Sequence, residues 1–150
     1  LSIIEESDGK FIIWANYIHN IKTIVKILRK EYGDESVVSI YGEITTENRK
    51  KAVEEFQAND KVRFFVGNPS TGGYGLTLTA ASYVVYYSNN YNLEVREQSE
   101  DRAHRIGQTK SVTYIDLIID KTIDSHIISA LKRKIKISAE TMGEEIKNWI

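Results

Sequence analysis

Phe11-Ile12-Ile13-Trp14-Ala15 is an unbroken apolar run. A strand with one face in water alternates apolar and polar residues, so an unbroken run reads as a strand covered on both faces. Four further runs are rich in β-branched and aromatic residues: Val37–Tyr41, Val62–Gly67, Tyr83–Tyr87 and Val112–Ile119. Between the runs the apolar spacing changes to a helical period. Ile18, Ile21, Val25 and Leu28 share one helix face, with Gly33 as the stop. Thr45 or Thr46 caps a second helix, which has Glu47 in its first turn and Ala52, Val53 and Phe56 facing inward. A third helix is expected from about Leu93 to Arg105. A last one starts near Thr122, with Ile123, Ile127, Leu131 and Ile135 in register. Its final turns carry Lys132, Arg133, Lys134 and Lys136, which suits the negative end of a helix dipole.

Strands alternating with helices imply an α/β domain. Its central sheet is mostly parallel, its crossovers are right-handed, and helices cover both faces. The domain is expected to span residues 1–137, with residues 138–150 a tail or the start of a missing element. The chain opens on Leu1 rather than Met, which is read as a segment of a longer protein.

The chain has 150 residues, 41% of them hydrophobic and 27% charged, ordinary values for one globular domain. A net charge of -1 means that any nucleic-acid contact must come from a local patch. With no cysteine there can be no disulfide, thiolate zinc site or cysteine nucleophile. His19, His104 and His126 lack metal-ligand spacing, so no metal site is expected on this chain. No apolar run approaches the ~20 residues of a membrane span.

Two segments carry candidate chemistry. In Gln98-Ser99-Glu100-Asp101-Arg102-Ala103-His104-Arg105-Ile106-Gly107-Gln108, the residues Gln98, Arg102 and Arg105 are spaced i, i+4, i+7. On a continuous helix they would share a face, and two guanidiniums on one face suit an anion such as phosphate. The plainer alternative is a solvated face with an Asp101–Arg105 ion pair worth about 0.3–0.5 kcal/mol. Gly107 would let the chain leave the helix. The second segment runs from Gly67 to Thr79 and contains Ser70-Thr71-Gly72-Gly73-Tyr74-Gly75. Glycines there let backbone amides approach an anion, or simply make a tight turn.

The first segment closely resembles motif VI of Swi/Snf-type ATPases (superfamily-two, helicase-like), Gln-Ala-x-x-Arg-x-His-Arg-x-Gly-Gln. The second is similar to their motif V, shortened and with Thr77 where Asn is usual. Phe11–Tyr17 resembles motif IV. Tyr87–Leu93 stands where the family has Asp-x-x-Trp-Asn-Pro, with Ser88, Tyr91 and Leu93 as departures. The resemblance implies the C-terminal RecA-like lobe of a DNA-dependent ATPase, P-loop NTPase-like in fold. Arg102 and Arg105 would then be arginine fingers, with Gln98, Gly73 and Gly75 on the nucleotide side. Asn16, Arg49, Ser70 and Thr71 would meet nucleic-acid phosphate.

A motor of this type needs a Walker A loop, Gly-x-x-x-x-Gly-Lys-(Ser/Thr), and an acidic pair after a strand. Neither is in the sequence; Gly9-Lys10 lacks the earlier glycine and runs into Phe11. ATP with Mg²⁺ is therefore expected to be held by an upstream N-terminal lobe of the same protein, and double-stranded DNA to lie across both lobes. The isolated chain is expected to be inactive, and no membrane association is expected. Two alternatives are a lobe of a strand-separating helicase and a non-catalytic α/β nucleic-acid-binding module. Lys-, Ile- and Asn-rich usage suggests an AT-rich genome, and hence the cytoplasm or nucleoid of a prokaryote or a phage-infected cell.

Overall fold

The run at Phe11 lies at the centre of the sheet. In the computed structural model it forms β1 (Lys10–Trp14), between β3 (Phe64–Gly67) and β4 (Ala81–Tyr86). The edges are β2 (Val37–Ile40) and β5 (Thr113–Asp116), giving the order β2-β3-β1-β4-β5 with every pairing parallel. The structure describes residues 1–42, 44–70, 75–90, 92–119 and 121–142, with side chains up to residue 137.

The period of two along β1 explains why its run is apolar throughout. Phe11, Ile13 and Ala15 pack with Ile21, Val25 and Leu28 of α2 (Ile18–Tyr32) on one face. Ile12 and Trp14 pack on the other with Phe56 of α3 (Thr46–Ala58) and with Leu78 and Ala103. Each of these large side chains, fully buried, contributes about 1.5–3 kcal/mol. The expected parallel sheet with helices on both faces is what forms. α2 ends at Gly33, and the Thr45 hydroxyl caps α3 by accepting from Asn48 N–H at 3.3 Å.

One element was not expected, and three local expectations need correction. A short α1 (Ser2–Glu5) precedes the sheet and has too few residues to show a period. β5 stops at Asp116, where its partner β4 ends at Tyr86; Leu117, Ile118 and Ile119 are exposed. α4 (Leu93–Glu100) stops five residues before the expected end. α5 (Ile123–Met142) runs past the basic cluster, so Lys132–Lys136 lie inside the helix rather than at its end. Along α5, Ile127, Leu131 and Ile135 are buried but Ile123 is exposed.

Lys10, which sequence spacing excluded from a phosphate loop, has a structural task. Its Nζ donates to the carbonyls of Phe56 (2.6 Å) and Asn59 (2.8 Å), at the negative end of α3. Gln57 of α3 reaches the segment leading into β4, donating to Thr79 Oγ1 (3.0 Å) and accepting from Ala80 N–H (2.8 Å).

Candidate functional site

Gln98, Arg102 and Arg105 converge on one cavity of about 710 Å³, which Gly75, Leu76, Asp101, His104 and Ile106 complete. They do not reach it from one helical face. α4 ends at Glu100, and residues 101–107 form a series of turns. The Arg102 carbonyl accepts from Leu78 N–H (2.9 Å) instead of closing a further helical turn. Gly107, with φ +101°, then shapes a turn that is already outside the helix.

Gln108 secures these turns. Its Nε2 lies within hydrogen-bond distance of the carbonyls of Thr79 (2.9 Å), Ala81 (3.2 Å) and Ala103 (3.0 Å). One carboxamide thus ties the segment before β4 to the segment after α4. Sequence reasoning passed over it; the available signal was a glutamine placed just past a turn glycine.

The two arginines differ. Arg102 is 5% exposed and lies 5.8 Å from the Trp14 ring centroid; its Nε and Nη1 have neither a partner nor solvent. Burial lowers its pKa, nearby Tyr86 offsets part of that, and Arg105 lowers it further. A guanidinium remains charged under these conditions. Arg105 is exposed and is not paired with Asp101. Its Nη1 donates to the Gly75 carbonyl (2.9 Å) and to Thr77 Oγ1 (3.3 Å). Gly75 adopts φ +59°, and a Cβ there would lie 3.7 Å from Arg105 Nη1. Gln98 is exposed and donates to Glu94 Oε1 at 3.0 Å. The cavity wall therefore presents two neighbouring cations, one lacking partners for buried donors, and this arrangement suits an anion.

Arg96 forms a network that sequence reasoning missed. Its Nη1 and Nη2 meet the two Asp116 oxygens at 2.6 and 3.1 Å, and its Nε meets Glu100 Oε1 at 2.8 Å. Nη1 also donates to Asn89 Oδ1 (2.7 Å), and the guanidinium stacks on Tyr86, 3.4 Å from the ring centroid. The Tyr86 hydroxyl is 2.6 Å from Ser99 Oγ. Two signals were available: the i, i+4 spacing of Arg96 and Glu100, and Asp116 as a lone charge inside the run Val112–Ile119.

Of the residues expected to meet nucleic acid, Asn16 and Ser70 lie together at the carboxyl end of the sheet. Asn68 Nδ2 donates to the Asn16 carbonyl (2.9 Å), and Asn68 Oδ1 accepts from Ser70 N–H (2.8 Å). Asn16 N–H in turn donates to Ser88 Oγ (2.9 Å). The segments after β1, β3 and β4 are thereby joined. Ser70 is exposed, and Arg49 is half-buried in the first turn of α3. Thr71, Gly73 and Tyr91 lie outside the described residues.

Residues 1–107 match the helicase conserved C-terminal domain. The chain belongs to this family, in its Swi/Snf branch. The lobe is 35% identical over 112 residues to the chromatin-remodeling ATPase INO80 of Candida albicans, covering 75% of this chain and 8% of that protein. It is 36% identical over 106 residues to the Mus musculus INO80, covering 71% and 7%. It is 34% identical over 103 residues to the helicase ssl-1 of Caenorhabditis elegans, covering 69% and 4%. The chain thus spans less than a tenth of the length of these relatives. The crystal structure of the C-terminal part of the Fun30 ATPase domain superposes on the lobe with a TM-score of 0.77. That match has 24% identity and covers 86% of this chain and 41% of that one, which establishes the RecA-like fold.

These relatives overturn the expected prokaryotic or phage setting, because they are eukaryotic and the INO80 proteins among them are chromatin-remodeling ATPases by name. Residue usage reflects the base composition of a genome and does not identify a compartment. Among the described residues, no helix is long and apolar enough to cross a membrane.

Proposed function

We propose that this lobe is the C-terminal half of an ATP-dependent double-stranded DNA translocase. In the whole protein it supplies Arg102 and Arg105 to an ATP site shared with an upstream lobe. The observation that carries this reading is the convergence of Gln98, Arg102 and Arg105 on one cavity, with no carboxylate among the described residues paired to either arginine. A volume of about 710 Å³ falls within the range of nucleotide-sized pockets.

Bound ATP with Mg²⁺ supplies a phosphoryl group whose charge redistributes during transfer to water; the Mg²⁺ is held by the upstream lobe. This chain contributes positioned charge. Arg105 stands at the cavity mouth, held by the glycine loop. Arg102 stands in the wall, with donors awaiting an acceptor. Gln98, Gly73 and Gly75 complete the nucleotide side. Lobe closure brings the arginines to the phosphates, so hydrolysis waits on closure. Asn16, Arg49, Ser70 and Thr71 contact DNA phosphates, which makes binding indifferent to sequence and sensitive to salt. The lobe takes in residues 1–137, and α5 continues without a break to Met142.

The test compares ATP turnover by residues 1–150 with turnover by the full-length protein, both at saturating DNA. The reading predicts no turnover by the isolated lobe and DNA-stimulated turnover by the whole protein. Robust hydrolysis by the lobe alone would sink the shared-site argument.

A further inference from the structure

The outer flank of α2 carries a surface that the ATP site does not use. Ile21, Val25 and Leu28 face the core. Lys22, Lys26, Arg29 and Lys30 line a groove of about 680 Å³ against β2, whose side is formed by Ser39 and Tyr41; Asp34 is the one carboxylate in the lining. No ion pair among the described residues involves any of these four cations. Lys22 lies 5.6 Å from the Tyr41 ring centroid. α2 has Glu31 as its only acid, in a chain whose net charge is -1. Like charges one turn apart repel, and an anionic occupant would relieve that repulsion.

The groove also borders an open sheet edge. Among the described residues β2 pairs with β3 alone, and no strand among them pairs with its other side. Val37-Val38-Ser39-Ile40 contains no charge and no proline, the usual guards of such an edge. Lys22, Lys26 and Lys30 recur every four residues, which is about 6 Å along a helix. Same-face side chains of an extended peptide recur about every 6.6–6.8 Å. Acidic residues at alternate positions can therefore meet successive lysines while the peptide backbone bonds to β2.

We propose that the α2–β2 groove docks an extended acidic peptide segment, which adds a strand to the sheet. DNA phosphates would satisfy the charge but not the strand edge, so the peptide is the better fit. The groove lies at the β2 edge, three strands from β4, and its use does not depend on the ATP reading.

The test uses the 150-residue chain and a fluorescent peptide with Glu at alternate positions and Thr between. A Gln-for-Glu peptide is the control, and a short DNA duplex is a competitor. The Glu peptide is expected to bind at least tenfold more tightly than the Gln peptide. Binding should fall at least tenfold in the Lys26→Glu/Lys30→Glu double variant. A milder loss is expected in Lys26→Gln/Lys30→Gln, which keeps the test valid if charge reversal harms folding. Hydrogen exchange should slow at amides of Val37–Ile40 when the peptide binds. Equal binding of the two peptides, binding indifferent to both double variants, or binding without slowed exchange in β2 would overturn the proposal. So would tighter binding of the duplex through the same lysines, which would assign the groove to nucleic acid.

Discussion

Arg96 and Arg102 stand six residues apart and are almost equally buried, at 4% and 5% exposure. Their surroundings are opposite. Arg96 meets two carboxylates, a carboxamide and a tyrosine ring, so much of its desolvation is offset by charge-assisted hydrogen bonds. Arg102 has two buried nitrogens without a partner and another arginine as its neighbour on the cavity wall. A fold gains nothing from a buried guanidinium left in that state. The comparison teaches that burial alone does not mark a residue as structural. Arg96 joins β4, α4 and β5, whereas Arg102 lines a cavity and keeps two donors without a partner.

The sharpest way to break this comparison is to remove each arginine in turn. In the full-length protein, Arg102→Ala should reduce ATP turnover by about 10³-fold or more, the effect expected of losing an arginine finger. The melting temperature should stay close to wild type. Wild-type turnover in that variant would return Arg102 to a purely structural role. Arg96→Ala should instead destabilise the 150-residue chain by about 3–5 kcal/mol in denaturant titration, because Asp116 and Glu100 lose their partner. A loss under 1 kcal/mol would mean that the network is not what orders α4.

Gln108→Ala sharpens the comparison from the side of the backbone. Three carbonyls lose a shared donor, so a loss of about 1–3 kcal/mol is expected. Turnover in the full-length protein should also fall, since the turns holding Arg102 and Arg105 depend on the same link. Intact stability combined with intact turnover would show that the turns hold without it.

The sheet was legible because each strand's covering is written into its own residues. Phe11 and Ile13 answer α2, Ile12 and Trp14 answer α3, and the run needs no distant information to be read. The spacing of Gln98, Arg102 and Arg105 was legible too, and the three do line one cavity. The route by which they meet was not. The break after Glu100 depends on Leu78 taking the Arg102 carbonyl, a hydrogen bond across 24 residues of chain that no helical period encodes. The Arg96 network was hidden for a similar reason. Glu100 is a local partner, but Asp116 arrives from another strand, and the pairing is fixed only once β5 docks on β4.

The most direct test of the contrast is the unfolding free energy of Arg102→Met beside that of Arg96→Met, measured on the same chain by denaturant titration. Methionine keeps much of the apolar volume of each side chain and removes the charge. Arg102→Met is expected to be as stable as wild type or more so, by about 1 kcal/mol or above, because an uncompensated buried charge is gone. Arg96→Met should lose several kcal/mol. Equal and large losses at both positions would contradict the account, since Arg102 would then be serving the fold and not the cavity.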